Sequence, residues 1–138
     1  MRWAAIPVIA GCAPFLTSAC SRYSALTITP TVLSSKQLEI RTVYADDAGD
    51  TISIRGMVYR PLALSGGPNG HLHIVARFSD GRPDIIADTH WDRISSRGSR
   101  SARYAAKLPI ADSIAVSQIT VSHVQTTDMA DALPSMKP

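Results

Sequence analysis

His71-Leu72-His73-Ile74-Val75-Ala76-Arg77-Phe78 decides the fold class. Leu72, Ile74, Ala76 and Phe78 alternate with His71, His73, Val75 and Arg77, the period of two that sends successive side chains to opposite faces of a strand. The same rhythm precedes it, with Ile52, Ile54, Gly56 and Val58 set against Ser53, Arg55, Met57 and Tyr59. Earlier still, Leu38, Ile40, Thr42 and Tyr44 alternate with Glu39, Arg41 and Val43. Downstream, Ile85, Ala87, Thr89 and Trp91 form one face against Ile86, Asp88 and His90. Ala102, Tyr104, Ala106 and Leu108 then alternate with Arg103, Ala105 and Lys107 before Pro109 stops the run. Residues 113–124 are a long β-branched stretch in which Ile119, Val121 and His123 share a face.

Turn chemistry separates these runs. Asp46-Asp47-Ala48-Gly49-Asp50 and Ser79-Asp80-Gly81-Arg82-Pro83 are clusters of turn formers, 61–70 is a loop holding Gly-Gly-Pro-Asn-Gly, and 93–100 is a polar loop. Helical periodicity is absent apart from a short turn over 128–133. Six or seven short strands at hairpin spacing predict an all-β chain, a sandwich or a small barrel, with a single small antiparallel β-sandwich as the expected form. A register in which 51–60 and 70–78 pair as a hairpin, positions summing to about 130, keeps both apolar faces together.

The N-terminus has a different character. Arg2 is followed by residues 3–16 without a charge, then Thr17-Ser18-Ala19 before Cys20. The uncharged run suits a secretory signal and falls short of the roughly twenty residues a spanning helix needs. Two stretches resemble the lipobox of bacterial lipoproteins: Ile9-Ala10-Gly11-Cys12, which fits better by residue type, and Leu16-Thr17-Ser18-Ala19-Cys20, whose Leu comes one position early. Cleavage before Cys12 leaves Cys20 as a lone thiol in an oxidising compartment, so Cys20 is the favoured lipidation site; ordinary signal-peptidase cleavage nearby is the alternative. Either way the mature domain has no cysteine pair, which excludes a disulfide framework and a Cys-rich zinc site. The expected organisation is a signal peptide at 1–19, a tether or irregular first strand at 20–35, the β-sandwich at 36–125 and a C-terminal tail at 126–138. The expected location is the periplasm, anchored to the outer membrane by lipid. The formal net charge of +3 across 138 residues is too slight to argue for nucleic acid.

Gly70-His71-Leu72-His73-Ile74 with the Asp80-Gly81 turn, and Arg103-Tyr104 leading to Leu108-Pro109, resemble small uncharacterised proteobacterial envelope proteins. Those in turn resemble immunoglobulin or fibronectin type III sandwiches. The resemblance covers about residues 50–124, implies an immunoglobulin-like fold and carries no activity across.

Three groups of residues invite a chemical reading. His71 and His73 project to one face, and the hairpin register above brings Met57 opposite His73; two imidazoles and a thioether suit copper, Cu(I) above all. His90 or His123 is a candidate to complete such a site. The plain alternative is a pair of solvent-face histidines with Tyr59 and Met57 as cross-strand neighbours, and for His123 a tucked core or edge position. Second, Arg93, Arg97, Arg100, Arg103 and Lys107 lie within fifteen residues with no acid between them. They suit an envelope protein or an anionic envelope polymer, unless Asp80, Asp84, Asp88 and Asp92 neutralise them as a solvated face. Third, Ser96, Ser99 and Ser101 lie near Asp88 and His90, but no Gly-x-Ser-x-Gly elbow is present. The sequence therefore predicts a non-enzymatic envelope-associated binding or structural module needing no cofactor. The alternative is a periplasmic copper- or zinc-binding protein using His71 and His73.

Overall fold

A computed structural model describes residues 24–95 and 97–126. The expected signal segment with Cys12 and Cys20, residue 96, and the expected tail beyond 126 lie outside the described residues. Eight strands follow in order: β1 (Ser24–Ala25), β2 (Thr31–Leu33), β3 (Glu39–Asp47), β4 (Ile52–Tyr59), β5 (His71–Phe78), β6 (Ile85–Thr89), β7 (Ser101–Leu108) and β8 (Val116–Val124). They form two four-stranded sheets, β1-β3-β4-β7 and β2-β8-β5-β6. Every pairing is antiparallel except that of β2 with β8. The chain is the expected all-β sandwich.

The alternations explain why the sheets face each other. Ile52, Ile54 and Val58 from β4 and Ala102, Tyr104 and Leu108 from β7 turn inward. They meet Leu72, Ile74, Ala76 and Phe78 from β5 and Val116, Ile119 and Val121 from β8. Leu38, Ile52, Ile54, Leu72, Ile74 and Leu108 have no exposed surface, and full burial of each such side chain favours folding by about 1.5–3 kcal/mol. Trp91, Ile85 and Ala87 close the core where β6 leads toward β7.

The structure departs from the sequence reading in four places. First, β4 and β5 do not form a hairpin. Both edges of β4 are taken, by β3 and by β7 along its whole length, and residues 60–70 cross from one sheet to the other. A period of two fixes which face a side chain takes but not which strand lies beside it.

Second, β3 carries a bulge between Ile40 and Thr42. One unpaired residue reverses the phase beyond it, so Val43 and Ala45 face inward while Tyr44 is 58 % exposed. Arg41, at the bulge, lies over the Tyr59 ring at 3.8 Å. Third, the stretch expected as a tether or an irregular first strand holds two short strands where at most one was expected, β1 and β2, one at an edge of each sheet. Fourth, Ser113–Ala115 is a single 3-10 turn, and the strand begins at Val116.

Candidate functional site

Burial of Leu72 and Ile74 fixes the phase of β5, so His71 and His73 stand on the outer face of its sheet. Gly70 launches the strand: its φ is +108°, and a Cβ there would sit 2.0 Å from the Val124 carbonyl oxygen. The Asp80-Gly81 turn folds β6 back along β5, with Leu72 opposite Thr89 and His73 opposite Asp88. The His73 Nδ1–H donates to Asp88 Oδ1 at 2.7 Å, and His71 Nε2 lies 3.5 Å from the same oxygen. One donor atom from each of His71, His73 and Asp88 falls within 4.8 Å of the others. One step further along the hairpin, the His90 ring lies 6.3 Å from the His71 ring, tilted by 51°.

Met57 is not part of this group. It projects from β4 on the outer face of the other sheet, between Thr42 and Arg103, because the expected hairpin does not form. A thioether-containing site on His71, His73 and Met57 is therefore replaced by a set of imidazoles and a carboxylate. The turn at 79–83, which pairs His73 with Asp88, was the signal for this third member.

His123 occupies the tucked position. It is 9 % exposed, against the edge of Trp91 with ring centroids 5.5 Å apart. Its Nε2 faces the Asn69 carbonyl at 2.8 Å, which can only accept, so Nε2 carries the proton. Nδ1 then accepts from the Ser35 hydroxyl at 2.6 Å, while Ser35 Oγ accepts the Gln37 and Leu38 N–H groups. Burial pushes the imidazole below its ordinary pKa, against the pull of the Asn69 carbonyl. Both nitrogens are engaged, so this histidine has no free donor for a metal.

The five cations do not form one patch. Arg103 and Lys107 share the outer face of β7, whereas Arg93 and Arg97 stand exposed on the preceding loop and Arg100 is half-buried at its end. Three of the four carboxylates expected to balance them are used elsewhere, Asp80 by Arg82, Asp84 by Arg77 and Asp88 by the histidines, while Asp92 lies beside Arg103, its N–H donating to the Arg103 carbonyl, without an ion pair. Among the described residues none of the five closes an ion pair.

Arg103 instead lines an open groove of about 710 Å³ on the outer face of the β3-β4-β7 sheet. Thr42, Tyr44, Arg55, Met57 and Ala105 contribute to its floor and walls, and His90 and Asp92 form its rim along β7. Arg55 is held by Asp46 at 3.0 Å. The sequence missed Tyr44 here because the bulge reverses its face. Among the described residues no serine hydroxyl bonds to His90 or Asp88; Ser99 and Ser101 bond to each other. Searches against protein-family models, curated proteins and solved structures returned no match. A function must therefore be argued from the chemistry of these two outer faces.

Proposed function

We propose that this chain is a non-enzymatic binding module of the periplasm, held at the outer membrane by an acylated Cys20. Its groove on the β3-β4-β7 sheet would seat an acidic polypeptide segment of an envelope protein. The carrying observation is Arg103, an exposed guanidinium that closes no ion pair among the described residues, set in a groove with the exposed side chains of Tyr44 and Met57 and with Asp92 at its rim. Tyrosine, methionine and arginine are the residues enriched in protein interfaces, where an aromatic anchor supplies area and arginine supplies forked hydrogen bonds. Lys107, four residues along the same strand, extends the positive face. Tyrosine and methionine beside the cations favour a polypeptide over a lipid headgroup, for which charge alone would suffice.

A photo-crosslinking residue placed at Tyr44 in cells tests the reading. The expected product is a covalent adduct whose peptide, read by mass spectrometry, carries net negative charge and disappears with Arg103→Glu/Lys107→Glu. A lipid or glycan adduct, an adduct indifferent to charge reversal, or no more product than a crosslinker at Leu62 gives would overturn it.

A further inference from the structure

We propose that His71, His73 and Asp88, with His90 closing in, form a binding site for one borderline divalent cation, of the Zn(II) or Cu(II) type. The site lies on the outer face of the other sheet; His90, which also rims the groove, is the one residue shared with the partner reading, and His71, His73 and Asp88 are tested apart from it.

The argument begins with donor geometry. A tetrahedral ion bound to imidazole nitrogen and carboxylate oxygen at about 2.0–2.2 Å places its ligands roughly 3.3–3.5 Å apart. His71 Nε2 and Asp88 Oδ1 are already 3.5 Å apart. His73 Nδ1 and Asp88 Oδ1 are closer, at 2.7 Å, because a proton lies between them. With that proton passed to Nε2 or to solvent, a cation at Nδ1 needs the pair to open by about 0.6–0.8 Å. Side-chain rotation supplies such a change without moving either strand.

Preorganisation comes from the hairpin. His73 and Asp88 are directly paired residues of β5 and β6, and His71 stands two positions before His73 on the same face. Leu72 and Ile74, both fully buried, lock that phase from behind. The histidine side chains are 31 % and 32 % exposed and Asp88 is 54 % exposed, so an ion has direct access from solvent. His90, also exposed, carries a ring near enough to His71 to supply a fourth ligand by rotating.

Donor type selects the ion. Nitrogen and carboxylate donors suit Zn(II) and Cu(II), while the hard cations Mg(II) and Ca(II) require more oxygen than one carboxylate provides. The absence of sulfur among these four residues disfavours Cu(I), the ion that the Met57 set would have chosen.

Isothermal titration of the full chain, with Cys12 and Cys20 alkylated, separates the possibilities. Zinc sulfate and copper(II) sulfate are the probes. The expected result is one high-affinity site for at least one of the two ions. His73→Ala and Asp88→Asn should each weaken it at least ten-fold, His90→Ala by less, and Met57→Leu not at all. Circular dichroism on each variant confirms that the sandwich is intact. Copper(II) bound at the site should show nitrogen hyperfine structure in its electron paramagnetic resonance spectrum, and that signal should be lost in His71→Ala/His73→Ala. Uptake of neither ion, uptake unchanged by His73→Ala with the fold intact, or a copper spectrum without nitrogen coupling would each overturn the proposal.

Discussion

The Tyr104 hydroxyl donates to the Thr42 carbonyl at 3.2 Å, reaching across β4 over the one position in that strand that has no side chain. A Cβ on Gly56 would fall 1.9 Å from the Thr42 oxygen and 2.6 Å from the Tyr104 hydroxyl. The bulge at Arg41, the glycine and the tyrosine are therefore one unit: the bulge brings the carbonyl over the strand, and the glycine leaves room for it. Burial also pushes the phenol pKa well up, so the hydroxyl stays protonated and remains a donor at neutral pH and well above it.

Gly56→Ala should accordingly be among the most damaging single changes in the chain. The obstructing atom is backbone, so β3 itself must move. Overpacking of this kind costs about 1–3 kcal/mol, and a clash with main chain belongs at or above the top of that range. Tyr104→Phe loses only the hydrogen bond, about 1 kcal/mol. Urea unfolding of the two variants measures both. Equal losses would show that the close approach at Gly56 carries no special weight.

The Ser35–His123 bond ties the turn between β2 and β3 to the end of β8, and it requires a neutral imidazole. Protonation would put a hydrogen on Nδ1 facing the Ser35 hydroxyl, whose oxygen already serves two N–H groups. The folded pKa lies below the ordinary 6.5 because of burial, so the unfolded chain takes up the proton first as pH falls. This contribution to stability is complete above that value and is lost as pH drops through it toward the folded pKa. Unfolding free energy measured in chelator should decline between pH 7.5 and 5, with a shallower slope in His123→Gln. An unchanged slope would place the acid sensitivity elsewhere.

How much of this was written in the sequence depends on the interaction concerned. Alternation is a local property, so the inward faces of β4, β5, β6, β7 and β8 were legible, and with them the outward pointing of His71 and His73. Partner choice is not local. Ile52, Ile54 and Val58 present the same pattern whether β4 lies beside β5 or beside β7, so Met57 was assigned to the wrong face of the molecule. The bulge was equally invisible, because inserting Arg41 changes no composition and breaks no apolar run. Asp88 was within reach: the Asp80-Gly81 turn specifies the β5–β6 hairpin, and that hairpin sets Asp88 beside His73. The tucked position of His123 followed from the apolar face it shares with Ile119 and Val121.

Processing at Cys20 makes a separate prediction, since the residues concerned lie outside the described part of the chain. The mature protein recovered from a membrane fraction should begin at Cys20 and carry the added mass of acyl chains, and Cys20→Ser should release it to the soluble fraction. A terminus at Cys12, or an unmodified terminus, would remove that anchor.

The His73–Asp88 contact allows two accounts that stability measurements can separate. As a fold-stabilising cross-strand pair it would be missed when either partner is removed. As a ligand pair it would matter little to the metal-free fold. Asp88 is more than half exposed, and pairs in such settings contribute about 0–1 kcal/mol. The hairpin is held instead by Leu72, Ile74 and Ala76, all without exposed surface. In chelator, Asp88→Asn should therefore shift unfolding by no more than about 0.5 kcal/mol, whereas Leu72→Ala should cost about 2–5 kcal/mol. Adding zinc at a hundred times its dissociation constant should stabilise the unsubstituted protein by about 2.7 kcal/mol through mass action, and Asp88→Asn by far less at the same concentration. A loss already present in chelator, with no zinc-dependent difference, would assign Asp88 to the fold and not to the cation.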